Sequence, residues 1–171
     1  MNWLTKSGIA FAVLSALAAP AWAQNNSASV TTTGSTTIAA PITLTQNTTL
    51  RFGSLVRPTS SSNTVTIGTD TCATALSGGG NAALVSSTSG CATYTVGGES
   101  GQAFNITTDP TFAMTRSGGS ETITVTLSKS EATGTIGQTS ADFKVGGSFT
   151  VDSSTVAGAY TGTFAVTATY Q

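Results

Sequence analysis

An all-β fold, an immunoglobulin-like two-sheet β-sandwich of about eight or nine short strands, is predicted by three observations. Beyond residue 23 apolar and polar residues alternate with a period of two, and no helical period occurs. Thr, Ser, Gly, Val and Ala dominate the composition, residues that favour strands and the turns between them. Clusters of Gly and Ser interrupt the alternation at short intervals, as turns between antiparallel strands do. A closed barrel uses the same ingredients and is the lesser alternative. No repeat at a fixed period is present, so a solenoid is not expected.

Each strand has its own signal. Ile38 to Leu44 alternates, with Pro41 marking an edge or a kink. Thr49 to Val56 follows, holding Leu50 and Phe52 before Gly53. After the polar loop Arg57 to Ser62, Asn63 to Thr69 puts Val65 and Ile67 on one face. Ser77 to Asn81 reads as a turn region. Cys91 to Val96 ends at Gly97-Gly98, and Gln102 to Thr108 aligns Phe104 with Ile106. Thr111 to Arg116 and Glu121 to Leu127 flank Ser117-Gly118-Gly119-Ser120, a hairpin turn. Asp142 to Val151 carries Phe143, Val145, Phe149 and Val151, and its Gly146-Gly147 is a bulge or a second tight turn. Ala157 to Gln171 is the last strand.

The first 23 residues are read as a leader. Lys6 supplies a positive charge, Ile9 to Ala19 an apolar run, and Ala21-Trp22-Ala23 a small-x-small cleavage site, with cleavage between Ala23 and Gln24. The expected organisation is therefore a signal peptide at 1–23, an N-terminal extension at 24–37 and a β-sandwich domain at 38–171. The protein is expected to leave the cytoplasm by this leader. The run is shorter than the ~20 residues of a spanning helix, and no later segment is long and apolar enough to span. Charged residues make up 8% of the chain, against a usual ~25%. Removing Lys6 leaves five basic against seven acidic residues, so no basic patch exists to hold nucleic acid. So few charges make a poor solubility shell, which suits a subunit working inside an assembly.

Two cysteines, Cys72 and Cys91, are expected to pair in an oxidising compartment. Catalysis is disfavoured. Histidine is absent, which removes the commonest general base and a frequent metal ligand. The seven carboxylates are scattered beside turn residues, the serines lack a nucleophile-elbow context, and Gly78-Gly79-Gly80 is not followed by a phosphate-loop lysine. No cofactor, metal or catalytic residue is expected.

Both ends of the domain carry one-sided patterns. In the last strand Gly158, Tyr160, Gly162, Phe164, Val166, Ala168 and Tyr170 share one face, and small polar residues take the other. A long terminal strand with an apolar face needs a partner. Near the N-terminus Ala28, Val30, Thr32, Gly34, Thr36 and Ile38 share a face, and no charge occurs from Gln24 to Leu50. This extension reads either as a polar tail or as a strand made to insert into another molecule.

These features resemble the pilins of chaperone–usher fimbriae: a leader, an uncharged alternating extension, a glycine fourteen residues from the end (Gly158) and an aromatic penultimate residue (Tyr170). The strings LRFGSLV, FKVGGSFTV and AGAYTGTFAVTATYQ are similar to a small secreted bacterial family of unassigned function, often labelled Mat/Ecp-like fimbrial major subunits. The mid-chain cysteines depart from the pattern, since many fimbrial pilins carry their bridge near the first strand. The resemblance implies an incomplete sandwich with a groove beside its C-terminal strand, filled first by a periplasmic chaperone and then, at an outer-membrane usher, by the extension of the next subunit. Copies of itself or related pilins are the implied head-to-tail partners, and the cell surface the implied destination. Val30 and Ile38 would be the large plugs, Ala28, Thr32 and Thr36 the small ones, and Gly34 would sit where the groove narrows. Gly158, Tyr160, Gly162, Phe164, Val166 and Tyr170 would line the groove or the chaperone-docking edge. The alternative is a self-complete secreted sandwich, its own N-terminal strand folded back, that binds carbohydrate or mediates adhesion. Against it, Trp3 and Trp22 leave with the leader, and of Tyr94, Tyr160 and Tyr170 two lie on the zipper face.

Overall fold

A computed structural model describes residues 27–86, 88–137 and 140–171. The expected leader and the Ala23/Gln24 junction lie outside them. The chain divides into two units, 1–36 and 37–171. In the first, residues 27–36 are exposed and carry no regular secondary structure.

The second unit is all-β. Its strands are β1 (Thr43–Thr48), β2 (Ser54–Val56), β3 (Ser62–Ile67), β4 (Thr74–Gly78), β5 (Ala83–Ser86), β6 (Ala92–Gly97), β7 (Ala103–Thr108), β8 (Thr111–Arg116), β9 (Thr122–Lys129), β10 (Thr133–Thr135), β11 (Ser140–Asp152), β12 (Tyr160–Thr161) and β13 (Val166–Tyr170). The main sheet runs β1-β6-β11-β9-β8-β12, with β3 joined to β11 and β4 to β3. Smaller sheets, β10-β7-β13 and β2-β5, flank it. Every strand pair is antiparallel. The architecture is all-β, a large main sheet with smaller flanking sheets, as in the expected β-sandwich. Its core forms where the inward residues of β6 and β11 (Tyr94, Val96, Phe143, Val145) meet Phe104 and Ile106 of β7. A second cluster joins Val65, Ile67, Val125, Phe149 and Val151 to Phe52 and Cys91. Tyr94 stacks on Phe143 with ring centroids 5.1 Å apart.

Several strands differ from the sequence expectation for identifiable reasons. The first strand begins at Thr43, not Ile38, because Pro41 has no N–H for the ladder and restricts the residue before it. The stretch expected from Thr49 to Val56 is a strand only at Ser54–Val56, with a single bridge from Arg51 to Gly90. Gly53 adopts a left-handed φ of 78° that breaks it. Between the cysteines the turn expected at Ser77 to Asn81 joins two strands that the sequence did not mark, β4 and β5, with residues 79–82 outside both. Cys72 and Cys91 are disulfide-bonded.

Gly146-Gly147 is neither a bulge nor a turn. It lies inside the thirteen-residue β11, whose first half pairs β6 and whose second half pairs β3. At this hand-over a Cβ on Gly146 would collide with the Ile67 carbonyl oxygen, and one on Gly147 would lie 2.9 Å from the Thr126 carbonyl oxygen. Only glycine admits both neighbours.

Candidate functional site

The last fifteen residues form two strands, not one, because their partner is bent. β7 and β8 are a continuous path kinked at Asp109-Pro110, and the C-terminal segment runs antiparallel along both. Tyr160 pairs with Arg116 and Tyr170 with Phe104. At the kink the Ala165 N–H donates to the Asp109 carboxylate (2.8 Å) and the Asp109 N–H donates to the Ala165 carbonyl (3.3 Å). Gly162 crosses β8 so closely that a Cβ there would strike the Ala113 carbonyl oxygen. The alternation survives the break. Tyr160, Phe164, Val166, Ala168 and Tyr170 are half-buried, and the intervening Thr161, Thr163, Ala165, Thr167 and Thr169 are exposed.

β12 ends the main sheet on one side and β1 ends it on the other. β13 likewise ends its sheet. Beside β12 lies a groove of about 1040 Å³. One rail is the chain from Thr49 to Arg57 and the other the chain from Thr155 to Phe164. Its floor is apolar: Tyr94, Phe112, Met114, Ile123, Phe149 and Val151. Arg57 ties the rails at one end by donating from Nη1 to the Thr155 carbonyl (2.6 Å). The Asp152 carboxylate fixes the start of the second rail, accepting from the N–H and hydroxyl groups of Ser154 and Thr155. Those donors hold its carboxyl below the usual carboxylate range. Tyr94, whose ring forms part of the floor, has its phenol pushed up by burial.

Gly158, Tyr160, Gly162 and Phe164 line this groove. Val166 and Tyr170 lie beyond it and pack on the core under β13. Ala28, Val30, Thr32, Gly34, Thr36 and Ile38 are exposed and belong to no strand. Val30 is 88% exposed and Ile38 89%. The opposite rail and the floor were not identified from sequence as site residues. Phe112, Met114 and Ile123 are visible there as strand residues, but which inward faces stay uncovered depends on the sheet order.

Charged groups near the groove serve structure. Arg116 pairs with Glu121 (2.8 Å), which lowers the Glu121 carboxyl and raises the guanidinium. A Cβ on Gly158, whose φ is 155°, would lie 2.8 Å from the Arg116 side chain. Among the described residues no three His, Cys, Asp or Glu gather to hold a metal, and no helix is long and apolar enough to cross a membrane.

One family model matches residues 42–170, that of a domain of unknown function, DUF4402. The chain belongs to the DUF4402 family. This family is associated with Mat/Ecp-like fimbrial pilin proteins. Comparison with curated proteins and with solved structures finds no match. The DUF4402 domain thus spans β1 through β13 and includes the whole groove, while Val30 and Ile38 precede it.

Proposed function

We propose that this chain is a fimbrial subunit that polymerises by donor-strand exchange, its N-terminal extension entering the groove beside the C-terminal strand of the next copy. The groove carries the reading: an apolar floor open between the chain from Thr49 to Arg57 and the chain from Thr155 to Phe164, whose strand β12 ends the main sheet with no partner on its outer side among the described residues. A strand inserted there gains backbone hydrogen bonds from the rails and apolar burial from the floor. The extension has the matching form, alternating and uncharged, with Val30 and Ile38 exposed on the face that would turn inward. Burying each contributes ~1.5–3 kcal/mol. Donor and acceptor are different surfaces, so the contact is head to tail and propagates as a fibre. A periplasmic chaperone and an outer-membrane usher follow from the family resemblance, as does the cell surface as destination.

The test is a denaturing gel of the protein sheared from its host's surface, run unboiled beside a boiled sample. A ladder that collapses to monomer on boiling is the expected result. A monomer band in both lanes overturns strand exchange and points to a self-complete sandwich, for which glycan-binding screens follow.

A further inference from the structure

The N-terminal segment is fastened where it meets the domain. The Tyr170 hydroxyl donates to the Ala40 carbonyl (2.8 Å) and accepts from the Glu99 N–H (2.8 Å). The Glu99 carboxylate accepts from the Ala40 N–H (3.2 Å). Both backbone groups of Ala40 are thereby held by two residues distant in sequence. Gly98 makes room: its φ is 155°, and a Cβ there would occupy the position of the Tyr170 hydroxyl.

This attachment bears on where Ile38 can go. Ile38 is two residues from Ala40, so it reaches at most ~7 Å. The nearest groove residue along β1, Gln46, is six residues from Ala40, or ~20 Å of extended chain. Along the other rail Phe164 is six residues from Tyr170, again ~20 Å. With Ala40 held, the ~7 Å from Ala40 to Ile38 is shorter than either strand that leads from the latch toward the groove, ~10 Å from Thr43 to Gln46 and ~13 Å from Tyr170 to Val166. With Ala40 released, the first strand-paired residue is Thr43. Ile38 then reaches ~17 Å from Thr43, while Gln46 lies only ~10 Å away.

Resting on the strand-exchange reading above, we infer that Tyr170, Glu99 and Ala40 form a latch that holds Ile38 out of its own subunit's groove and reserves it for a second copy. Tyr170 is a positioning residue: it enters no groove and acts through Ala40.

The test compares the mature protein with its Tyr170→Phe variant, which keeps the ring and removes the hydroxyl. Two readouts are taken: the fraction of boil-sensitive multimers on an unboiled gel, and thermolysin cleavage before Ile38 in the monomer fraction. The expected result is a severalfold drop in multimers, with Ile38 cut in wild-type monomers and protected in the variant's. An unchanged multimer fraction with Ile38 still cut, even beside a lowered melting temperature, overturns the latch alone. Absence of multimers in the wild type overturns strand exchange and the latch with it. Should Tyr170→Phe fail to accumulate, Glu99→Ala removes the acceptor for the Ala40 N–H and is judged by the same readouts.

Discussion

Phe164 lies against Phe112, their ring centroids 5.0 Å apart and their planes tilted by 40°. One ring belongs to the C-terminal rail and the other to the floor on β8, so the contact holds the groove's edge to its base. The pair is only half-buried, which leaves apolar surface to meet an incoming strand.

Replacing Phe164 with Asp should therefore remove the fold or the groove. A carboxylate against Phe112 would be desolvated without a partner. The expected outcome is a protein that is not exported in folded form or that yields no multimers, checked by surface shearing and gel. Normal export and assembly would show that this ring is dispensable.

Deleting residues 24–37 should leave the DUF4402 domain folded, since, among the described residues, every strand and both core clusters lie beyond the cut. The truncated protein should form no fibres on its own. Circular dichroism tests the fold and electron microscopy the fibres. Fibres from the truncated chain would contradict donation by this segment.

Gly146→Ala should destabilise the domain by ~1–3 kcal/mol, the usual cost of overpacking. The added carbon meets the Ile67 carbonyl, a backbone atom that cannot swing away. Urea unfolding of the variant beside wild type measures the change.

Replacing Cys72 and Cys91 together with Ser should cost roughly 3 kcal/mol, because the bridge closes a loop of about twenty residues in the unfolded chain. The loss should appear as a lower urea midpoint and should match wild type measured under reduction.

Acid should weaken the domain in a defined direction. Hydrogen bonds hold Asp152 and Glu121 below the ordinary carboxylate range in the folded state. The unfolded chain therefore takes up protons first as pH falls, through about pH 4. Stability from these groups is present above that range and is lost as pH drops through their folded values. Thermal melts should fall on acidification, and Asp152→Asn should flatten part of that slope. Both carboxylates face solvent, so the effect should be small.

Much of the fold was legible because the side-chain period of a strand is local. Alternation alone marked β3, β6, β7, β8, β9 and β11 to within two residues, and it placed Tyr160, Phe164, Val166, Ala168 and Tyr170 on the more buried face of the C-terminal segment, though Gly162 of the same expected face is exposed. The hairpin at Ser117 to Ser120 was equally plain, since its turn residues act on their own neighbours. The cysteine pairing also followed from count and compartment.

What the sequence by itself determined was the position of β3, β6, β7, β8, β9 and β11, the face those strands bury, and the family. The tertiary structure alone decided which edges meet. Gly146-Gly147 became a strand interior because β6 and β3 share one side of β11, and the C-terminal strand divided because β7 and β8 bend at Asp109-Pro110. The groove has its rails near Phe52 and near Tyr160, more than one hundred residues apart, and the latch joins Ala40 to Tyr170 across 130. A period of two says which way a side chain points relative to its own backbone. It says nothing about which distant strand lies beside it or which edge stays unpaired, because those depend on pairings that form only when the whole chain has closed its sheets.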